Sequence, residues 1–175
     1  RAALDGVRRR LDAAGHAVRD VEIPSAAITP DVYLHIVLAE AARYHAPLLA
    51  RFADRYSPGV RLRLEMGGYV LAEDYVRAME LRRTLTAQVD LALAGCDALL
   101  LPALAIPAPP LGAGSIDVDG TPEPVRAAML RLTQLFNLTG HPAIAMPAGT
   151  DAGGLPVGMQ LVGRCRETFA LLDAA

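Results

Sequence analysis

Nucleophilic or acid–base chemistry in this chain would have to come from four histidines, two cysteines and three serines. Every one of its 17 basic residues is arginine, and lysine is absent. Ser25 and Ser57 each neighbour a proline in turn-like sequence, and Ser115 lies in Ala-Gly-Ser-Ile-Asp, which is not a nucleophile elbow. A Ser–His–Asp triad using His16, His35, His45 or His141 has no local signature, and neither has a Cys–His pair of Cys165 with His141. His35, Glu40 and His45 are spaced five and five. Five residues turn a helix by roughly 140°, so these three share no face. The HExxH pattern is missing too, and no metal site is expected. Cys96 and Cys165 fit no metal spacing; the two could pair, but buried free thiols of a reducing, cytoplasmic compartment are the favoured expectation.

The remaining charged groups suit binding better than catalysis. Arg82 and Arg83 fall in the middle of a helical pattern, beside its apolar stripe. One of them turned inward could hold a carboxylate through two parallel hydrogen bonds. Glu40 shares a face with Tyr33, Ile36, Val37 and Tyr44, so it is expected to be half-buried and to need a donor.

The elements that must position these groups follow from periodicity. A helix is predicted over 1–14 with Gly15 as its C-cap, then a short strand over Ala17–Ile23 stopped by Pro24. Thr29-Pro30-Asp31 opens a helix running to about Tyr56, which Pro47 should kink or divide. Its stripe is Tyr33, Ile36, Val37, Ala41, Tyr44 and Leu48. A short helix over 58–66 ends at Gly67-Gly68. A long one over 72–94 buries Tyr75, Met79, Leu85, Val89 and Leu93. Asp97–Leu101 reads as a strand buried on both faces. The Pro/Gly-rich stretch 102–124 reads as a long loop with a turn at Asp119-Gly120, followed by a helix over 124–136. Strands are expected at Ala143–Met146 and Val157–Val162, and a last helix over Glu167–Ala175. Helices alternating with strands give the α/β class.

Composition narrows the setting. A length of 175 residues suits one compact domain, and 53% hydrophobic residues supply a core. A net charge of −2 offers no field for nucleic acid or anionic lipid. The longest apolar run, Ala98–Leu111, is interrupted by Pro102, Pro107, Pro109 and Pro110 and is too short for a bilayer. No signal peptide is visible, and Arg1 falls in mid-helix pattern.

The last 80 or so residues carry an ordered set of motifs. Gly95-Cys96-Asp97-Ala98-Leu99-Leu100-Leu101-Pro102 is followed by Ala108-Pro109-Pro110-Leu111-Gly112. Next come Phe136-Asn137-Leu138-Thr139-Gly140-His141-Pro142-Ala143-Ile144 and Pro147-Ala148-Gly149. Gly154-Leu155-Pro156-Val157-Gly158-Met159-Gln160-Leu161-Val162-Gly163 closes the set. In this order and spacing the chain resembles the C-terminal part of the amidase-signature family. Ala39-Glu40-Ala41-Ala42, Arg61–Gly67 and Tyr75–Thr84 resemble the family's preceding helices, so the likeness covers nearly the whole chain.

The resemblance implies a mixed twisted sheet flanked by helices, with residues 1–175 forming the C-terminal portion of a single domain. It implies hydrolysis of a carboxamide C–N bond by a Ser–Ser–Lys triad. In that triad one serine attacks, a second relays the proton, and a lysine kept neutral by its surroundings is the base. No lysine and no Gly-Gly-Ser-Ser stretch occur in this chain, so no catalytic residue is transferred and the chain alone is expected to be inactive. The resemblance implies that Ala127, Leu130 and Gln134 face the substrate, and that Arg83 stands where some relatives hold a substrate carboxylate. Asn137 and Thr139 would tie down the loop before the next strand. The implied partner is a small-molecule amide, with no cofactor, metal, nucleic acid or membrane. Unpaired apolar strand edges would make a homodimer possible.

Two departures matter. In the related tRNA-dependent amidotransferases, the amidase-like component carries an acidic pair where this chain has Met129 and Leu130. The family's usual Pro-Thr after the Leu-rich strand is Pro102-Ala103 here.

Overall fold

A computed structural model describes the backbone of residues 2–175 and the side chains of residues 4–175. Seven α-helices, five strands and two short 3-10 helices (Ala26–Ile28 and Ala53–Arg55) are found among the described residues: α1 (Ala2–Ala13), α2 (Thr29–Phe52), α3 (Pro58–Gly67), α4 (Ala72–Leu93), β1 (Leu99–Pro102), β2 (Ser115–Val118), β3 (Thr121–Pro124), α5 (Val125–Leu130), α6 (Gln134–Thr139), β4 (Ala143–Thr150), β5 (Pro156–Val162) and α7 (Thr168–Ala174). Helices layered on a sheet bear out the α/β expectation. No helix among the described residues is long and apolar enough to cross a membrane.

The core forms where α4 crosses α2 and meets the sheet. Leu85 and Val89 on α4 are fully buried, as is Val162 on β5, and they cluster with Val32, Ile36, Leu99 and Phe136. Beyond Tyr75 and Met79, which pack at the margin of this cluster, the face of α4 matches the predicted stripe. The sheet order is β1-β5-β4, and both pairings are antiparallel among the described residues. Val162 pairs with Leu99 on one side and Ala143 on the other, which puts its side chain at the centre of the sheet.

Several local expectations are corrected. Ala17–Ile23 is not a strand, since it has no ladder partner among the described residues and alternation alone makes no sheet. Pro47 does not divide α2, which continues past it to Phe52. The proline is exposed, so water can take the carbonyl whose amide partner is lost. The outer end of the α2 stripe is also solvated, with Tyr44 at 74% exposure. β1 lies at a sheet edge and is half-buried past Leu99, not enclosed on both faces. The long loop contains a hairpin: Ser115–Val118 pairs with Thr121–Pro124 across Asp119 and Gly120, both at positive φ. The helix expected over 124–136 is two helices, α5 and α6, parted by a turn at 131–133.

Candidate functional site

Residues 79, 82, 83, 86, 87 and 90 of α4 recur at three- and four-residue steps and so line one face of the helix. Met79, Arg82, Arg83, Thr86, Ala87 and Asp90, together with Thr139 at the end of α6, border an open cleft of about 440 Å³. The two arginines divide as the sequence allows. Arg82 turns inward and its Nε donates to the Leu138 carbonyl at 2.6 Å, whereas Arg83 stays exposed in the cleft wall. Thr86 Oγ1 donates back to the Arg82 carbonyl at 2.9 Å.

At its far end the cleft meets a buried imidazole. Helix α6 closes at Gly140, whose φ of +76° lets its N–H reach the Phe136 carbonyl at 2.9 Å. A side chain would be strained there. That sharp stop throws His141 back under α4. Its side chain is fully buried, with Nε2 3.1 Å from Asp90 Oδ1 and Nδ1 2.9 Å from Thr139 Oγ1. Asp90, His141 and Cys165 bring their polar atoms within 4.8 Å of one another. Burial, and then the Asp90 carboxylate, push the Cys165 thiol up from its ordinary value, against a smaller opposing pull from Arg166. A thiol held protonated, beside an imidazole with both nitrogens engaged, is the reverse of an activated Cys–His nucleophile.

The other candidates resolve into structural contacts. His35 Nδ1 meets the Asp31 carbonyl at 2.8 Å and His45 Nδ1 meets the Tyr56 hydroxyl at 2.9 Å. Among the described residues no serine hydroxyl bonds a histidine; Ser25 instead pairs reciprocally with Gln88. Glu40 is exposed rather than half-buried, and it does find a donor, the Tyr75 hydroxyl at 3.0 Å. Neither cysteine is in a disulfide. Thr139 is buried and braces His141, while Asn137 is exposed and makes no side-chain hydrogen bond among the described residues.

Of the four predicted substrate-facing residues, only Arg83 lines this cleft. Ala127 lies exposed on α5, and Leu130 and Gln134 are half-buried on either side of the turn between α5 and α6. That turn is held from below by Gln160 of β5. Its buried amide donates to the Leu132 carbonyl at 2.9 Å and the Pro102 carbonyl at 3.2 Å. Sequence reasoning misses Asp90 and Gln160 as positioning groups. Their partners lie 51, 28 and 58 positions away, beyond any local pattern.

A family model described as Amidase matches residues 1–172. The chain belongs to the amidase-signature family. It is 35% identical to an amidase of Pseudomonas putida over 89% of its own length and 33% of the relative's. It is 31% identical to the A component of the glutamyl-tRNA(Gln) amidotransferase of Neisseria meningitidis, over 99% of this chain and 40% of that one. A solved amidase crystal structure superposes with a TM-score of 0.90 at 35% identity, covering 99% of this chain and 39% of that chain. An amidase-signature chain of this length therefore spans about two fifths or less of the relatives it matches.

Proposed function

We propose that this chain is the C-terminal part of an amidase-signature domain, and that the whole domain hydrolyses the carboxamide C–N bond of a small molecule. The observation that carries this reading is the family match across residues 1–172, supported by 35% identity to an amidase, in a chain that itself contains no lysine. An amide hydrolase of this family needs a neutral amine as base, and an arginine cannot lose its proton to serve. The Ser–Ser–Lys triad is then supplied by sequence outside this chain, and the chain contributes scaffold and one wall of the pocket.

In that wall Ala127 and Leu130 offer apolar surface, Gln134 a neutral amide and Arg83 a cation. Ala127 and Leu130 favour an uncharged aryl or alkyl amide around the scissile bond. Arg83 would engage a carboxylate only on a substrate long enough to reach the α4 cleft. By the family resemblance, Met129 and Leu130 stand where the tRNA-dependent amidotransferases carry an acidic pair, which counts against that alternative despite the 31% identity. Two free thiols fit a cytoplasmic setting.

The test is hydrolysis of a simple aryl amide such as an acyl anilide. The chain alone should show no turnover above buffer, whereas a longer protein joining it to a lysine-bearing N-terminal portion should turn over. Turnover by the chain alone contradicts the assignment of roles. An active complex formed only with an amidotransferase partner and charged tRNA would favour the alternative.

A further inference from the structure

We infer that Asp90, His141 and Cys165 form a three-ligand site for a zinc-class divalent cation at the end of the α4 cleft. The soft thiolate and the borderline imidazole favour zinc over magnesium or calcium, and a carboxylate is a common third zinc ligand beside them. Their ligating atoms already lie within 4.8 Å of one another, although they come from three separate parts of the chain. His141 Nε2 and Asp90 Oδ1 are 3.1 Å apart. Two donors bound to tetrahedral zinc at about 2.0–2.1 Å sit roughly 3.3 Å from each other, so an ion fits between these two atoms with little movement. Thr139 Oγ1, 2.9 Å from Nδ1, supplies the outer contact that fixes the ring and leaves Nε2 to the metal.

Charge and access agree with the geometry. A thiolate and a carboxylate together balance a dication, so the bound site is neutral beside Arg166. The thiol proton is released to solvent when the sulfur binds, as metal coordination requires. His141 is buried, but Asp90 is exposed and Cys165 half-buried, so the ion can enter from the cleft. Three protein ligands leave a fourth position for water. Binding would staple α4 to the turn after α6 and to the segment between β5 and α7.

Cobalt(II) titration of the purified protein tests this, because tetrahedral cobalt absorbs visibly and a bound thiolate adds a near-ultraviolet charge-transfer band. One equivalent should bind with both signatures, and zinc should displace it. Cys165→Ser should abolish the charge-transfer band, and Asp90→Asn should weaken zinc binding on the order of tenfold or more. Cys96→Ser should change neither. No saturable binding, wild-type binding by both Cys165→Ser and Asp90→Asn, or a band lost in Cys96→Ser overturns the site. Circular dichroism of each variant separates lost ligation from lost fold.

Discussion

Arg82 Nε stands 2.6 Å from the Leu138 carbonyl oxygen, so a guanidinium on α4 satisfies a carbonyl in the last turn of α6, 56 positions along the chain. The last carbonyls of a helix have no partner of their own, and a cation there also complements the helix dipole. Arg82→Met keeps the packing stem and removes the donor. It should cost about 1–3 kcal/mol in urea unfolding, the usual penalty for orphaning a partly buried acceptor of a charged donor. Arg83→Met, exposed in the same cleft, should stay within about 0.5 kcal/mol. Equal losses for the two variants would mean that the Leu138 contact contributes nothing specific.

That pair shows what is legible in the sequence and what is not. Helical spacing puts Arg82 and Arg83 on the margin of the α4 stripe, but the choice between them rests on where α6 ends. The strand that follows Gly140 is readable from its apolar run. What the Gly140 stop delivers, His141 beneath Asp90, is not, because contacts across 51 positions leave no periodic trace. The Ala17–Ile23 strand fails for the same kind of reason: its alternation is real, yet a strand exists only with a partner. Asp119-Gly120 is readable as a turn, while its short flanks, rich in proline and charge, hide the hairpin. The family motifs fare better because they combine many weak positions in fixed order.

Gln160 offers a second test of long-range positioning. Its amide holds two carbonyls, Pro102 in β1 and Leu132 between α5 and α6, and the side chain is buried. Gln160→Leu preserves bulk but leaves both acceptors without a donor, so a loss of about 1–3 kcal/mol is expected in chemical denaturation. If the α5–α6 turn forms part of a pocket wall, the same variant in an active longer protein should raise KM more than it lowers kcat. An unchanged unfolding midpoint would show that water replaces the amide at both carbonyls.

Gly67 is where α3 touches the backbone of α2. A Cβ placed there would fall 2.0 Å from the Leu38 carbonyl oxygen and 2.7 Å from the Ala42 Cβ. Backbone cannot swing aside as a flexible side chain can, so Gly67→Ala must push the helices apart. The expected loss is about 1–3 kcal/mol or more, typical of overpacking. Gly68→Ala, whose nearest neighbour is the Glu65 carbonyl at 3.3 Å, should be milder. Thermal unfolding of the two variants side by side checks the order, and a more stable Gly67→Ala would refute the close approach.

Tyr75 on α4 donates its hydroxyl to Glu40 on α2 at 3.0 Å, and this bond is the chief reason its phenol is held above the ordinary tyrosine value of 10.0. Partial burial and the Glu40 charge add to the shift, and Arg82 opposes it. The folded state thus keeps the phenol proton more tightly than the unfolded chain does. The stabilisation is fully present below the unfolded value and is lost as pH rises through the folded one. In a tyrosinate absorbance titration, one of the five tyrosines should ionise late. Glu40→Gln retains an acceptor but removes the carboxylate charge, so it should bring that late step back toward the others. It should also flatten the alkaline decline of the unfolding midpoint. A late step that persists in Glu40→Gln but vanishes in another tyrosine's phenylalanine variant would assign the shift to a different residue.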